Sequence, residues 1–398
     1  MSTLRSARGA LATGTMCVLL GCASSQVLVA HRVPLVAADE AVDEDRLLDV
    51  AVVVFDPGVP PGEIHRDDLE KLREDGVFVH VRRVESIQMA AALRDTLASS
   101  GHWGSVWITP QSSLAADVNV VAKILESDGY VVRVEAEVVD AAGRVWIGER
   151  YELETAAAAY RRERHSGLDP YQDLFTSIAN DMAAALGKLS PAEIGQLKAV
   201  GALRYAAEFS PEAFGSYVVR EKDGDYRPVR LPALDDPVFE GALNVRRREG
   251  LFFDTLDLHY ERLVADAQPS YDSWREIGRE ESITIRELTR GARVRTGLGI
   301  VAMLGSLLYG GGNSAFVQNG MVAVGGELLG MREETLRGRE LHAAALAEVS
   351  QSYDDEVAPM VVDIAGVEHR LTGTAAVQYA ELRELLRQQL LDETGTGP

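Results

Sequence analysis

The sequence predicts an α+β protein: an N-terminal α/β sandwich with an antiparallel meander, then a mainly helical domain with a glycine-rich apolar helical hairpin, then a small C-terminal hairpin plus helix. Three observations carry this. Residues 130–139 alternate, with Arg133, Glu135 and Glu137 on one face and Val132, Val134, Ala136 and Val138 on the other, which is the period of a strand with one wet side. Two Ser-Pro starts, Ser190-Pro191-Ala192-Glu193 and Ser210-Pro211-Glu212, open a region of helical spacing. Residues 296–312 then run without a charge, and 314–331 follow after Gly310-Gly311-Gly312-Asn313.

In chain order, 47–55 is apolar except for Asp49 and reads as a strand closed by Asp56-Pro57-Gly58. Residues 85–97 carry Ile87, Ala90, Leu93 and Leu97 at helical spacing, with Glu85, Arg94 and Asp95 off that stripe and Gly101 as the stop. Val106-Trp107-Ile108 is a short buried strand. Strands over 118–125, 130–139 and 145–153 are joined by Ser127-Asp128-Gly129 and by Asp140-Ala141-Ala142-Gly143. Asp169-Pro170 supplies an N-cap and a first-turn proline for a helix whose stripe is Leu174, Phe175, Ile178, Met182, Ala185 and Leu186. Helices are expected on one face of the sheet.

Ala116-Asp117-Val118-Asn119-Val120 opens a strand here, and Asp140-Ala141-Ala142-Gly143-Arg144-Val145-Trp146 makes an Asp-x-x-Gly turn before the last one. In this element order the stretch 47–189 resembles the periplasmic domain of the curli-secretion-channel family. It is similar also to the N-terminal domain of the Tol-system propeller protein and to some flagellar outer-membrane lipoproteins. The resemblance implies a non-enzymatic assembly domain at the outer membrane, often ring-forming. The channel members insert long hairpins here, whereas the turns at 127–129 and 140–143 are too short to cross a bilayer, so a curli-type barrel is not expected.

The second half reads as helix. Asp236-Pro237 starts a stretch with Leu251, Phe252, Leu256 and Tyr260 inward, and Arg246-Arg247-Arg248 reads as a solvated helix face. Residues 271–295 continue as a charged helix with Trp274, Ile277 and Leu288 inward. In the uncharged stretch Gly297, Gly299 and Gly305, then Gly320, Gly325, Gly326 and Gly330, strip side chains from a helix surface and allow close backbone approach, so they are candidate packing or oligomerisation positions. Glu327 in the second arm weighs against membrane insertion. Residues 332–353 form an amphipathic helix, 360–371 a hairpin around Ala365-Gly366, and 375–391 a terminal helix with Val377, Leu382, Leu385, Leu386 and Leu390 inward.

The N-terminus sets the location. Arg5 and Arg8 precede an apolar run from Ala10 to Leu20, the form of a secretory signal. Its end, Leu19-Leu20-Gly21-Cys22, resembles the lipobox of bacterial lipoproteins, which implies cleavage after Gly21 and a covalent lipid on Cys22 as the sole cofactor. Ala23 in place of aspartate implies outer-membrane sorting, with the acyl chains as anchor. The expected organisation is a signal peptide over 1–21, a lipidated tether over 22–46, an assembly domain over 47–189, a helical domain over 190–358 containing the glycine-rich 296–331, and a terminal unit over 359–398.

The formal charge of −21 opposes binding to nucleic acid. The 8 histidines show no zinc-site spacing, and the glycines at 310–312 lack the Lys-Ser or Lys-Thr of a phosphate loop. The expected function is therefore non-enzymatic. The protein is read as a lipid-anchored periplasmic subunit that meets itself or another envelope protein; the alternative is a channel whose glycine-rich hairpins line a pore.

Overall fold

The computed structural model describes residues 33–40, 42–60, 64–160, 169–233, 235–309, 346, 359–364 and 366–394, with backbone alone for 45, 288–309 and 394. The protein is α+β. Its sheet is built from β1 (Val50–Val53), β2 (Val106–Thr109), β3 (Val118–Ser127), β4 (Val131–Asp140) and β5 (Val145–Glu154), in the order β2-β1-β3-β4-β5. β3, β4 and β5 form the antiparallel meander, whereas β1 runs parallel to both its neighbours. Parallel pairing needs a crossover. The chain between β1 and β2 supplies it with α1 (Arg66–Glu74) and α2 (Val79–Ser100).

α2 and α3 (Gln172–Leu186) pack against each other and onto the face carrying Val132, Val134, Ala136 and Val138. The opposite face keeps Lys123, Arg133, Glu135, Arg150 and Glu152, linked by ion pairs such as Arg133 to Glu152 at 2.9 Å and Arg150 to Glu135 at 2.9 Å. Gly101 ends α2 at φ 72°, a left-handed cap that a side chain resists. Asp169 does not cap α3 directly: its carboxylate accepts from the Tyr171 N–H, and the helix starts at Gln172, two residues later than the Asp-Pro pair suggests. Ahead of the sheet, residues 33–38 lie hydrogen-bonded to the body: Val33 and Val36 N–H donate to Asp173 and Asn180 of α3, and Ala38 N–H donates to the Ser100 carbonyl.

α4 (Pro191–Phe209) opens with a complete capping box, the Ser190 N–H donating to Glu193 Oε2 at 2.8 Å and the Glu193 N–H to Ser190 Oγ at 3.3 Å. A short α5 (Pro211–Phe214) and a hairpin of β6 (Val218–Arg220) and β7 (Tyr226–Pro228) follow. Then comes α6 (Pro237–Tyr309), one helix of 73 residues and a contour length of about 110 Å. The sequence reads this stretch as helix from Asp236-Pro237, a charged continuation over 271–295 and then the first arm of the glycine-rich hairpin. The structure carries it straight through Pro269, whose missing N–H costs one intrahelical bond. β8 (Met360–Ile364), β9 (Val367–Leu371) and α7 (Ala375–Thr394) complete the described chain.

Three assignments change. Leu251 is 65% exposed while Phe253 is buried, and Val377 is exposed while Tyr379 is buried. Arg246 is not part of a solvated face, because it pairs with the buried Asp117 at 2.8 Å. Leu251 and Arg246 share one cause: α6 is packed by β2, α2, α4 and α7, so its inward stripe is set by four neighbours instead of by hydropathy alone. One apolar cluster then runs from Leu48, Phe55 and Val134 through Phe209 and Phe253 to Tyr379 and Leu390. Leu346 joins Phe78, Val81, Tyr271 and Trp274 in a second.

Candidate functional site

The residue types that can do chemistry are concentrated along one side of α6, where it crosses the sheet. At its N-terminal end Arg246 reaches Asp117, whose other carboxylate oxygen accepts the Asp49 N–H at 3.1 Å. The Ala-Asp pair that opens β3 thus fastens β1, β3 and α6 together. At the far end of the meander strand β4, Asp140 accepts the Ala142 and Arg144 N–H groups, the Arg144 guanidinium and the Trp146 indole, which fixes the Asp-x-x-Gly turn.

One turn on from Arg246, Glu249 is 0% exposed and receives three hydroxyls: Ser113 at 2.6 Å, Tyr205 at 2.8 Å, and Tyr379. These come from the β2–β3 loop, α4 and α7. A buried carboxylate is tolerable only when its oxygens are met by donors, and here they are.

Further along, α6 covers the edge strand β2. Asp254 accepts the Trp107 indole N–H at 2.8 Å, and Asp257 accepts the outward Ile108 N–H at 2.8 Å and Arg94 at 3.2 Å. Burial is the main cause that pushes the Asp257 carboxyl up to about 7, against the lowering effects of the Ile108 N–H and Arg94. An open sheet edge is a pairing hazard, and α6 closes this one.

Beyond Pro269 lies a further cluster. Glu85 of α2 is fully buried, with Oε1 accepting Ser127 Oγ at 2.5 Å and the Tyr271 hydroxyl at 3.3 Å, while Oε2 faces Arg82 Nε at 3.9 Å. Desolvation dominates and drives its pKa up to about 7. Arg275, 1% exposed, holds both oxygens of Asp169 at 2.9 and 2.8 Å and also Asp272, and lies over the Tyr271 ring at 4.1 Å. Arg279, Ser282 and Arg286 then grip the far ends of β3 and β5: Arg279 on the Thr155 carbonyl, Ser282 on the Asp128 carbonyl, Arg286 on Glu126 and Asp128 at 2.8 Å each. A groove of about 770 Å³ opens beside this cluster, lined by Gln88, Asp95, Tyr160, Asp169, Gln268 and Arg275 among others.

The geometry is that of a joint. Ser127 Oγ against a raised carboxyl is the pair that nucleophile activation would use, but Glu85, Ser127 and Tyr171 are all sealed from solvent, so no substrate reaches them. Among the described residues no group of three or more His, Cys, Asp or Glu is placed to hold a metal ion, and no helix is long and apolar enough to cross a membrane.

Of the positions singled out in the sequence, Gly297, Gly299 and Gly305 lie on the helical backbone of α6. Gly21, Cys22, Gly320, Gly325, Gly326 and Gly330 lie outside the described residues, as does the expected helix over 332–353 apart from Leu346. Glu85, Glu249, Asp257 and Arg275 were missed. For Glu249 a signal exists: it falls on the stripe of Ala242, Val245, Phe252, Phe253 and Leu256, where a charge interrupts an apolar face. For Glu85 the only signal is negative, since α2 is buried on nearly every side and has no true polar face. No protein-family model matches the chain, and no characterised protein matches it.

Proposed function

We propose that the chain is a lipid-anchored protein of the outer membrane, its body in the periplasm, acting without catalysis as a scaffold or subunit of an envelope complex. The lipobox Leu19-Leu20-Gly21-Cys22 supports the anchor, with a covalent lipid on Cys22. The observation that carries the scaffold is α6. Among the described side chains the last tie of α6 to the sheet is at Arg286, and the helical backbone runs on to Tyr309, about 35 Å further. That stretch of helix carries Gly297, Gly299 and Gly305 of the uncharged segment, and small residues there permit close approach of a second copy or of another envelope protein. The acidic body has no affinity for nucleic acid.

The test is labelling of growing cells with radioactive palmitate. The wild type takes up label and leaves the membrane only with detergent; Cys22→Ser takes up none and is released by salt. An unlabelled wild type removes the anchor. A detergent-extracted particle that opens conductance in liposomes replaces the scaffold by the channel reading.

A further inference from the structure

α6 covers the β2 edge of the sheet, but among the described residues no backbone partner lies on the outer side of β5. The strand is ten residues long and contains no proline. The Thr155 N–H bonds inward to the Tyr130 carbonyl, so in an antiparallel ladder the odd-numbered residues of β5 spend their backbone groups on β4. Gly148, Arg150, Glu152 and Glu154 therefore aim theirs outward.

We propose that two copies of this chain pair antiparallel along β5, with Tyr151 on the two-fold axis, giving one continuous sheet. Charge selects the register. Centred on Tyr151, Arg150 of each copy stands opposite Glu152 of the other, and Gly148 opposite Glu154. Centring on residue 150 sets Arg against Arg, and centring on residue 152 sets Glu against Glu; like charges directly opposite one another destabilise a sheet. The two-fold axis of such an edge pair is perpendicular to the sheet, so both copies carry α3, and residues 33–38 hydrogen-bonded to it, on the same face. Both anchors then address one membrane. This last point rests on the anchored reading above; the pairing itself does not.

The test is the mass of the full chain in mild detergent by analytical ultracentrifugation over a range of concentrations, with circular dichroism to confirm folding. The wild type forms dimers. Arg150→Glu and Glu152→Arg each weaken dimerisation about tenfold or more, and the double exchange restores it to within about threefold. The exchange cannot restore the pairs each residue makes within its own chain with Glu135 and Arg133, so rescue reports the contact between copies. With Cys17 and Cys22 replaced by serine, Tyr151→Cys forms an intermolecular disulfide on mild oxidation, because facing residues at a non-hydrogen-bonded position sit about 4.5 Å apart at Cα. A monomer at every concentration, or a dimer indifferent to the exchanges and to Tyr151→Cys, overturns the proposal. Lipidation and dimerisation are read separately, so an unlabelled chain that still dimerises through β5 removes the anchor alone.

Discussion

Gly129 and Arg275 meet backbone to backbone: a Cβ on Gly129 would lie 2.2 Å from the Arg275 carbonyl oxygen, and Gly129 itself holds φ +83°. The β3–β4 turn is thus wedged directly under α6, and Gly278 completes the approach, its missing Cβ leaving 3.0 Å to the Asp128 carbonyl oxygen. Gly129→Ala carries a left-handed cost of roughly 1–2 kcal/mol and an overpacking cost of about 1–3 kcal/mol. Gly366 has a similar φ of +78° with nothing near its Cβ position, so Gly366→Ala should lose only about 1 kcal/mol. Urea unfolding of the two variants decides the matter; equal losses would mean the turn does not touch the helix.

Glu85 makes stability depend on pH. Burial raises its pKa from 4.5 to about 7, with Arg82, Ser127, Arg275 and Tyr271 around it each opposing that rise. Because the folded value is the higher one, the neutral acid is the form the fold favours: its contribution is complete below about pH 4.5 and is lost as pH rises through about 7. The full span is on the order of 3 kcal/mol. Wild type and Glu85→Gln should therefore unfold at similar urea concentrations near pH 5, with the glutamine variant ahead by about 1–3 kcal/mol near pH 8.5. Asp257 titrates in the same range in both proteins and cancels in the comparison. A difference that stays constant with pH would show that Glu85 is not the titrating group.

Asp257 caps the β2 edge of the sheet. Asp257→Ala strands the Ile108 N–H and should cost about 1–3 kcal/mol, whereas Asp257→Asn keeps an acceptor and should cost less. Hydrogen exchange localises the effect: the Ile108 amide should lose protection in the alanine variant and keep it in the asparagine one.

Glu249 holds the C-terminal helix. Glu249→Ala leaves Ser113, Tyr205 and Tyr379 without their shared acceptor and should destabilise by about 3 kcal/mol or more. Limited proteolysis should then cut first within 375–394, ahead of cuts in the sheet. Loss of stability with α7 still resistant would place the role of Glu249 in α4 instead.

Much of the fold was legible because it depends on neighbours a few residues away. The alternation in β4, the Ser190–Glu193 capping box, the Gly101 stop and the turns at Gly129 and Gly143 are each set by local backbone preference and a period of two or 3.6, and each stands where the sequence puts it. The joint along α6 was not legible. Glu85, Glu249, Asp257 and Arg275 read as solvated charges in a chain that is one quarter charged, and only the arrival of residues 40 to 190 positions away buries them and supplies donors.

What the sequence by itself determined is the five strands of the sheet, the helices α2, α3 and α4, the C-terminal hairpin and helix, their order and the two-faced meander. Only the tertiary structure decided that β1 lies parallel to both neighbours, that a single helix runs from Pro237 to Tyr309, and that this helix closes one sheet edge while the other faces outward. The physical reason is range: capping and alternation act through covalently adjacent groups, whereas the burial of a charge is settled by whichever distant element packs over it.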